Sequence, residues 1–263
     1  MIPYFCFDKI IIGPITIYTW GIFVALAFLF SYLFVLRESK KQGISSGFIC
    51  NLTIWVILGM VIGGRLSYIF QFPNKYFFQP LEILKIQQGG LTLFGGVFGV
   101  LIAAILYFKL TKTDFKLFWQ IADLTAFIAP ISIAIGRIGC SLINDHQGAE
   151  TSLPWGIVWP DGLIRHPVAE YLIISALILF LILKLLKPKL KKPGQLFFSF
   201  LFLYSSSRFF LDFTRSTGTP LSDPHYFGLS ATQWFSLIVI FATITIGSQC
   251  FFKNQRSKIK IKR

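Results

Sequence analysis

Charge is what this sequence has least of. Only 14% of its 263 residues are Asp, Glu, Lys or Arg, and Asp and Glu together number 11. Soluble domains carry about 25% charged residues. With 54% hydrophobic residues and a mean hydropathy of +0.68, the composition excludes an ordinary soluble domain. Histidine is scarce, at 3, and the 4 cysteines (Cys6, Cys50, Cys140, Cys250) form no CxxC pair and no metal-ligand spacing. They fall in separate segments, which argues against a disulfide framework and gives no metal site. The N-terminus, Met1 to Lys9, has neither a basic stretch nor a small-residue cleavage site, so the first apolar segment is expected to be retained. The scarcity of acid leaves a net charge of +14. In a chain this apolar, such an excess fits the positive-inside rule better than a nucleic-acid footprint, and no nucleic-acid partner is expected.

What the chain has in abundance is apolar runs long enough to cross a bilayer, which takes about 20 residues. Their flanks place seven spans: 16–36, 48–70, 89–110, 118–138, 167–186, 195–213 and 229–252. The fold expected is therefore an all-α integral membrane protein, one polytopic domain over 1–263. The loops after odd-numbered spans hold most of the 25 Lys and Arg, from Arg37, Lys40 and Lys41 to the Lys-rich tail after Phe252. This alternation places the N-terminus outside and the C-terminus in the cytoplasm. Outside, residues 139–166 form a polar, turn-rich connection between spans four and five, expected as a small external cap with Trp155–Trp159 as a short strand. The segment 216–228 is expected to join it. Gly59 and Gly63, and Gly95 and Gly99, are spaced four apart, the pattern of closely packed membrane helices. Gly89-Gly90 interrupts the entry to span three and suggests a loop lining a cavity.

The few charges inside spans cluster by depth. At about 1.5 Å per residue, Arg65 lies about 26 Å from the inner start of its span, Arg137 about 28 Å and Arg208 about 20 Å. In a hydrocarbon core of about 30 Å all three belong to its outer third. Arg208, Asp212 and Arg215 follow at helical spacing, so Asp212 is placed to orient both arginines. Any one arginine is as readily explained by snorkelling to the interface. Four at one depth, with Asp145 and Asp212 near them, point to an anionic headgroup, because guanidinium forks match phosphate oxygens. His146, His166 and His225 all fall on the outer side, where each is able to act as a base near neutral pH. Asp123 and Glu170 lie near span ends and are expected to cap or join helices.

Several of these residues stand in ordered motifs: Ile12-Gly13-Pro14, Gly63-Gly64-Arg65-Leu66-Ser67-Tyr68, Gly89 to Gly96, Gly136-Arg137-Ile138-Gly139 with Asn144-Asp145, Arg165-His166-Pro167, and Tyr204, Arg208, Asp212, Phe213, Arg215. On these motifs the chain resembles the prolipoprotein diacylglyceryl transferase family. The resemblance implies an enzyme that moves a diacylglyceryl group from phosphatidylglycerol to the lipobox cysteine of a preprolipoprotein, on the outer face of the bacterial plasma (inner) membrane. It implies Arg137, Arg208 and Asp145 as catalytic residues, and Arg137, Arg65, Tyr68, Asn144, Asp212 and Arg215 as phosphatidylglycerol-binding residues. It implies no metal and no cofactor. The chain departs from the family at Phe94 and Cys140, where histidine and asparagine are usual, and at Trp20, Asp145 and Ala169. With Phe94 in place of a base, the arginines are expected to favour the thiolate by electrostatics, with His146 and His166 as the alternative proton acceptors. Two other readings use the same residues: a non-catalytic lipid- or anion-binding paralogue or transporter, and a transferase acting on another lipid headgroup.

Overall fold

The computed structural model describes residues 1–13, 15–73, 76, 82–83, 90–217 and 225–260. Gly89, most of the 216–228 segment and the last three residues lie outside this set. The described chain is mostly helical and divides into two compact units, one of residues 1–33 with 122–263, the other of residues 34–121.

In the larger unit, strand β1 (Ile2–Pro3) is followed by a hairpin of β2 (Lys9–Ile12) and β3 (Ile15–Tyr18), with Lys9 opposite Tyr18 and Ile12 opposite Ile15. This corrects the expected start of the first span at residue 16. The run Ile10-Ile11-Ile12 and Ile15-Thr16-Ile17 is β-branched throughout, which favours strand over helix. Gly13, at φ +58°, supplies the left-handed turn between them. Helix α1 (Thr19–Lys41) starts where Thr19 donates its amide to the Asp8 carbonyl, at 2.9 Å.

Helix α2 (Ser46–Gln71) and helix α3 (Leu93–Leu110) make up most of the smaller unit. Their glycines meet as the spacing predicts. A Cβ on Gly63 would lie 2.4 Å from the Gly95 carbonyl oxygen, and one on Gly99 2.0 Å from that of Gly59. Only backbone without a side chain fits, and that contact replaces the hydrophobic drive that helices lack in lipid.

Helix α4 (Phe115–Ile143) runs five residues past its expected end, so Gly139–Ile143, expected in the cap, are helical. Apolar Leu142 and Ile143 continue the stripe, and Asn144 ends it in the left-handed conformation at φ +49°. Helices α5 (Val168–Leu186) and α6 (Gln195–Leu211) pack with α4 around Ala126, Leu179, Leu183, Leu196 and Phe200. Asp123 on α4 caps α6, accepting the Gly194 amide at 2.7 Å and the Phe197 amide at 2.8 Å. This is the capping role the sequence suggested. A 3₁₀ turn, Asp212–Thr214, extends α6, and after the hairpin β6 (His225–Tyr226) and β7 (Leu229–Ser230) comes α7 (Ala231–Lys260).

Among the described residues, five helical stretches are long and apolar enough to span a bilayer: α1, α2, α4, α5 and α6 with its 3₁₀ turn. The apolar parts of α3 and α7, Phe94–Leu110 and Ala231–Ile246, are shorter. Side chains such as Phe70 (80% exposed), Phe241 (74%) and Leu185 (71%) face outward, as lipid-facing residues do. The connection after α4 carries the short strand expected near Trp155. Here β4 (Ile157–Val158) pairs antiparallel with β5 (Ile164–Arg165) and parallel with β1.

Candidate functional site

Arg208 and Asp212 are both buried near the end of α6, and Arg208 Nη2 lies 3.1 Å from Asp212 Oδ1. Arg215 follows the 3₁₀ turn rather than a continuous helix, yet its Nη1 still lies 3.5 Å from the same oxygen. Asp212 therefore faces both arginines, as the spacing suggested. Its other oxygen accepts a hydrogen bond from Ser230. Ser230 itself opens α7 in a reciprocal cap: its amide donates to Gln233 Oε1 at 2.9 Å, and the Gln233 amide donates to Ser230 Oγ at 3.1 Å. This Ser-x-x-Gln signature was legible in the sequence, but its contact with Asp212 was not.

A second group of polar side chains gathers at the end of α4. The carbonyl and amide of Gln147, Ala149 and their neighbours bind this connection to the segment after α6: Ala149 donates to the Thr214 carbonyl at 2.8 Å, and Ser216 to the Gln147 carbonyl at 3.0 Å. Gly148 lets the same stretch lie against His166, since a Cβ there would stand 2.1 Å from the His166 carbonyl oxygen. Within this group, Arg137 Nη1 lies 3.1 Å from His146 Nε2 and 3.7 Å from Cys140 Sγ. His146 Nδ1 bonds Asp145 Oδ1. The Trp20 side chain reaches the Cys140 sulfur, so two positions that depart from the family pattern touch each other. Arg208 is in turn close enough to Arg137, Tyr204, Asp212 and Arg215 to interact electrostatically with all four. The structure thus brings together Arg137, Arg208, Asp212, Arg215 and Asp145.

Two expected binding residues have partners within the protein. Asn144 donates from Nδ2 to the Phe5 carbonyl at 2.6 Å, tying the N-terminal segment to the end of α4. In the smaller unit, buried Arg65 donates to three main-chain carbonyls: Nε to Ile83 at 3.0 Å, Nη1 to Gly90 at 3.1 Å and Nη2 to Glu82 at 2.5 Å. Its guanidinium also sits 5.3 Å from the Tyr76 ring centroid and 5.9 Å from that of Tyr68. Gly90, at φ +79°, has no room for a side chain beside Arg65 and Tyr68.

Other polar groups of the larger unit are held by partners within the protein. Arg165 Nη2 bonds Asp161 Oδ2 at 2.9 Å, and that hydrogen bond holds the exposed Asp161 carboxyl below its ordinary pKa. His166 Nδ1 meets the Tyr171 hydroxyl at 3.2 Å, which accepts from Trp155 Nε1 at 2.9 Å. Glu170 joins α5 to α4 by accepting from Ser141 Oγ at 2.5 Å.

Cys140, Asp145 and His146 offer a sulfur, an oxygen and a nitrogen within 4.8 Å of one another, a donor set that suits a borderline cation such as zinc. The Arg137 guanidinium stands against two of the three, so a metal there would meet a fixed positive charge. The cluster is better fitted to an anion. Three guanidinium groups face two carboxylates, and buried Arg208 Nη1 has no hydrogen-bond partner among the described residues. A buried donor without an acceptor is costly, and a phosphate oxygen would satisfy it.

Comparison with known proteins gives this cluster a context. A family model described as prolipoprotein diacylglyceryl transferase matches residues 9–247. The chain is 32% identical over 250 residues to the phosphatidylglycerol–prolipoprotein diacylglyceryl transferase of Bordetella bronchiseptica, covering 88% of this chain and 90% of that protein. It is 33% identical over 246 residues to the protein of the same name from Solidesulfovibrio magneticus, covering 89% and 91%. With that from Nitrosomonas europaea it shares 31% over 252 residues, covering 93% and 89%. By the match to most of its length, the chain belongs to the prolipoprotein diacylglyceryl transferase family.

Proposed function

We propose that this protein transfers the diacylglyceryl group of phosphatidylglycerol to the cysteine thiol of a lipoprotein precursor. The observation that carries this reading is the arginine cluster with its unsatisfied donor: Arg208 Nη1 is buried, lacks an acceptor among the described residues, and lies beside Arg137 and Arg215. In the reaction a thiolate attacks the glyceryl carbon bonded to the phosphate ester oxygen. The C–O bond breaks, and negative charge grows on the departing glycerol phosphate. Guanidinium groups fixed before the reaction stabilise that charge without reorganising, and removal of one such donor typically costs about 10²–10³ in rate. Arg137 and Arg208 take this catalytic role, with Arg215 a third cation for the headgroup. Asp212 holds Arg208 and Arg215 in place. Arg65 and Tyr68 act through Glu82, Ile83 and Gly90, whose carbonyls Arg65 holds, and Asn144 by fixing the N-terminal segment. The displacement exchanges a C–O bond for a C–S bond with no change of oxidation state, so it calls for no redox cofactor.

The reading extends to the setting. The seven helices expected from the sequence cross the bacterial inner membrane as one polytopic domain, α3 and α7 included, with the N-terminus and the cap outside and the C-terminus in the cytoplasm. The test is mass spectrometry of a lipobox peptide incubated with purified protein and phosphatidylglycerol. A diacylglyceryl increment on the peptide cysteine is the expected result. Saturable lipid binding with no increment would instead identify a non-catalytic lipid-binding member of the family, and transfer from another phospholipid alone a different headgroup specificity.

A further inference from the structure

Among the described residues, the side chains that face His146 are Arg137, Cys140 and Asp145. Two of them fix the state of its ring without any hydrogen being located. A carboxylate can only accept, so the nitrogen against Asp145, Nδ1, carries the proton. A guanidinium can only donate, so the nitrogen against Arg137, Nε2, presents its lone pair. His146 therefore has a carboxylate behind one ring nitrogen and directs the lone pair of the other at the arginine of the proposed phosphate site. Its side chain is 19% exposed, and that of Asp145 32%, so a substrate group has access. His166 lacks this arrangement, because its Nδ1 meets a tyrosine hydroxyl rather than a carboxylate.

From this geometry, and resting on the transferase reading above, we infer that His146 is the group that takes the proton from the acceptor cysteine, with Asp145 as its positioning residue. In the structure Arg137 occupies the Nε2 lone pair. When a phosphate draws the Arg137 donors to its own oxygens, that lone pair is released beside the bound headgroup. The thiol proton then passes to Nε2 while the sulfur electron pair forms the S–C bond to the glyceryl carbon. The C–O bond pair leaves on the glycerol phosphate, and the imidazolium gives its proton to that leaving group or to water. Lipid binding thus switches on the base, so the thiol is ionised only when there is something for it to attack. This takes the His146 alternative over the expectation that electrostatics alone supplies the thiolate.

The gain at stake follows from the thiol itself. With a pKa of about 8.5, a free cysteine is a few per cent thiolate at pH 7. A variant without the base should therefore be about 30-fold slower at pH 7 and approach the parent as pH rises past the thiol pKa. The experiment measures initial transfer rates from pH 5.5 to 9.5 for the parent, His146→Ala, His146→Gln and His166→Ala. Two peptides serve as acceptors, a cysteine lipobox peptide and its selenocysteine counterpart, whose selenol ionises without help at neutral pH.

The expected result has three parts. Both His146 variants lose about 30-fold or more at pH 7 with the cysteine peptide, their acidic limb moves up to follow the thiol, and selenocysteine restores most of the rate. His166→Ala keeps the parent's acidic limb. The inference is overturned if His146→Ala keeps the parent rate and limb, or if the His146 variants lose cysteine and selenocysteine transfer equally, which is the mark of a structural role. The two variants also differ in volume, so a folding defect confined to alanine leaves glutamine to decide. A parent protein that binds phosphatidylglycerol but modifies neither peptide sinks the transferase reading itself, and this inference with it.

Discussion

Arg65 and Arg208 look alike in the sequence: each is a lone arginine toward the C-terminal end of an apolar helix, followed within a few residues by an aromatic or acidic partner. Their surroundings differ in one decisive respect. Arg65 sends three of its donors to main-chain carbonyls of one short segment. Arg208 faces a carboxylate, has two other arginines nearby, and among the described residues retains a buried donor without an acceptor. Carbonyl groups are neutral and cannot leave, so these three donors of Arg65 hold backbone. A carboxylate shared with Arg215 neutralises only part of the charge, so Arg208 remains able to bind an anion. Depth along their spans made both arginines candidates, and only the acceptors around them tell the backbone contacts of one from the open donor of the other.

Substitution should widen that separation. Arg208→Ala or Arg137→Ala is expected to lower transfer by about 10²–10³ or more while the protein still inserts in the membrane. Lysine should rescue poorly, because it lacks the fork. Unchanged rates for both alanine variants in a purified assay would remove the phosphate site from this cluster. Arg65→Ala should act on stability instead. Losing charge-assisted bonds to three carbonyls is expected to cost about 2–3 kcal/mol, seen as a lower midpoint in thermal unfolding in detergent. A normal unfolding midpoint with lost phosphatidylglycerol affinity would return Arg65 to the headgroup.

Asp212→Asn should fall between these. It keeps an acceptor for Ser230 but removes the countercharge of Arg208 and Arg215, so transfer should drop by about 10-fold, the rate equivalent of one charge-assisted hydrogen bond. Phosphatidylglycerol should then stabilise this variant more than the parent, since its phosphate supplies the missing charge. Equal stabilisation of the two would separate Asp212 from lipid binding. The smallest effect is expected at Asp161. Its carboxyl is held below the ordinary value near 3.9 by Arg165, so whatever it contributes is present above that value and is lost as pH falls through the lower folded value. Amide exchange at Leu163, whose amide binds Asp161 Oδ1, should begin to quicken only below about pH 4, and Asp161→Asn should abolish that dependence.

Much of the architecture could be read directly from the chain because it depends on neighbours in sequence. Apolar runs mark the helices, Gly59, Gly63, Gly95 and Gly99 mark the close contact of α2 with α3, and the spacing of Arg208, Asp212 and Arg215 puts their charges together. Even here, a purely local signal misled at residues 16–18. The apolar run was assigned to a span, although its β-branched residues and the turn at Gly13 form a hairpin. Phe94 and Cys140 were legible as departures, but not that Cys140 would meet Trp20.

The remainder required partners far apart in the chain, and no local pattern encodes them. Ile2 pairs with Ile157, and Asn144 reaches back to Phe5. Arg65 finds its carbonyls some 17 to 25 residues on. Asp145, His146 and Arg137 lie within ten residues of one another, yet their contact depends on how the chain turns after α4 and is bound to the segment following α6. What the sequence by itself determined was which segments must leave water and which side chains carry charge there, because transfer into lipid is a property of composition. Which charge is satisfied by backbone, and which is left for a ligand, was decided only by the tertiary structure, because a hydrogen bond depends on a distance and an angle between atoms that folding alone brings together.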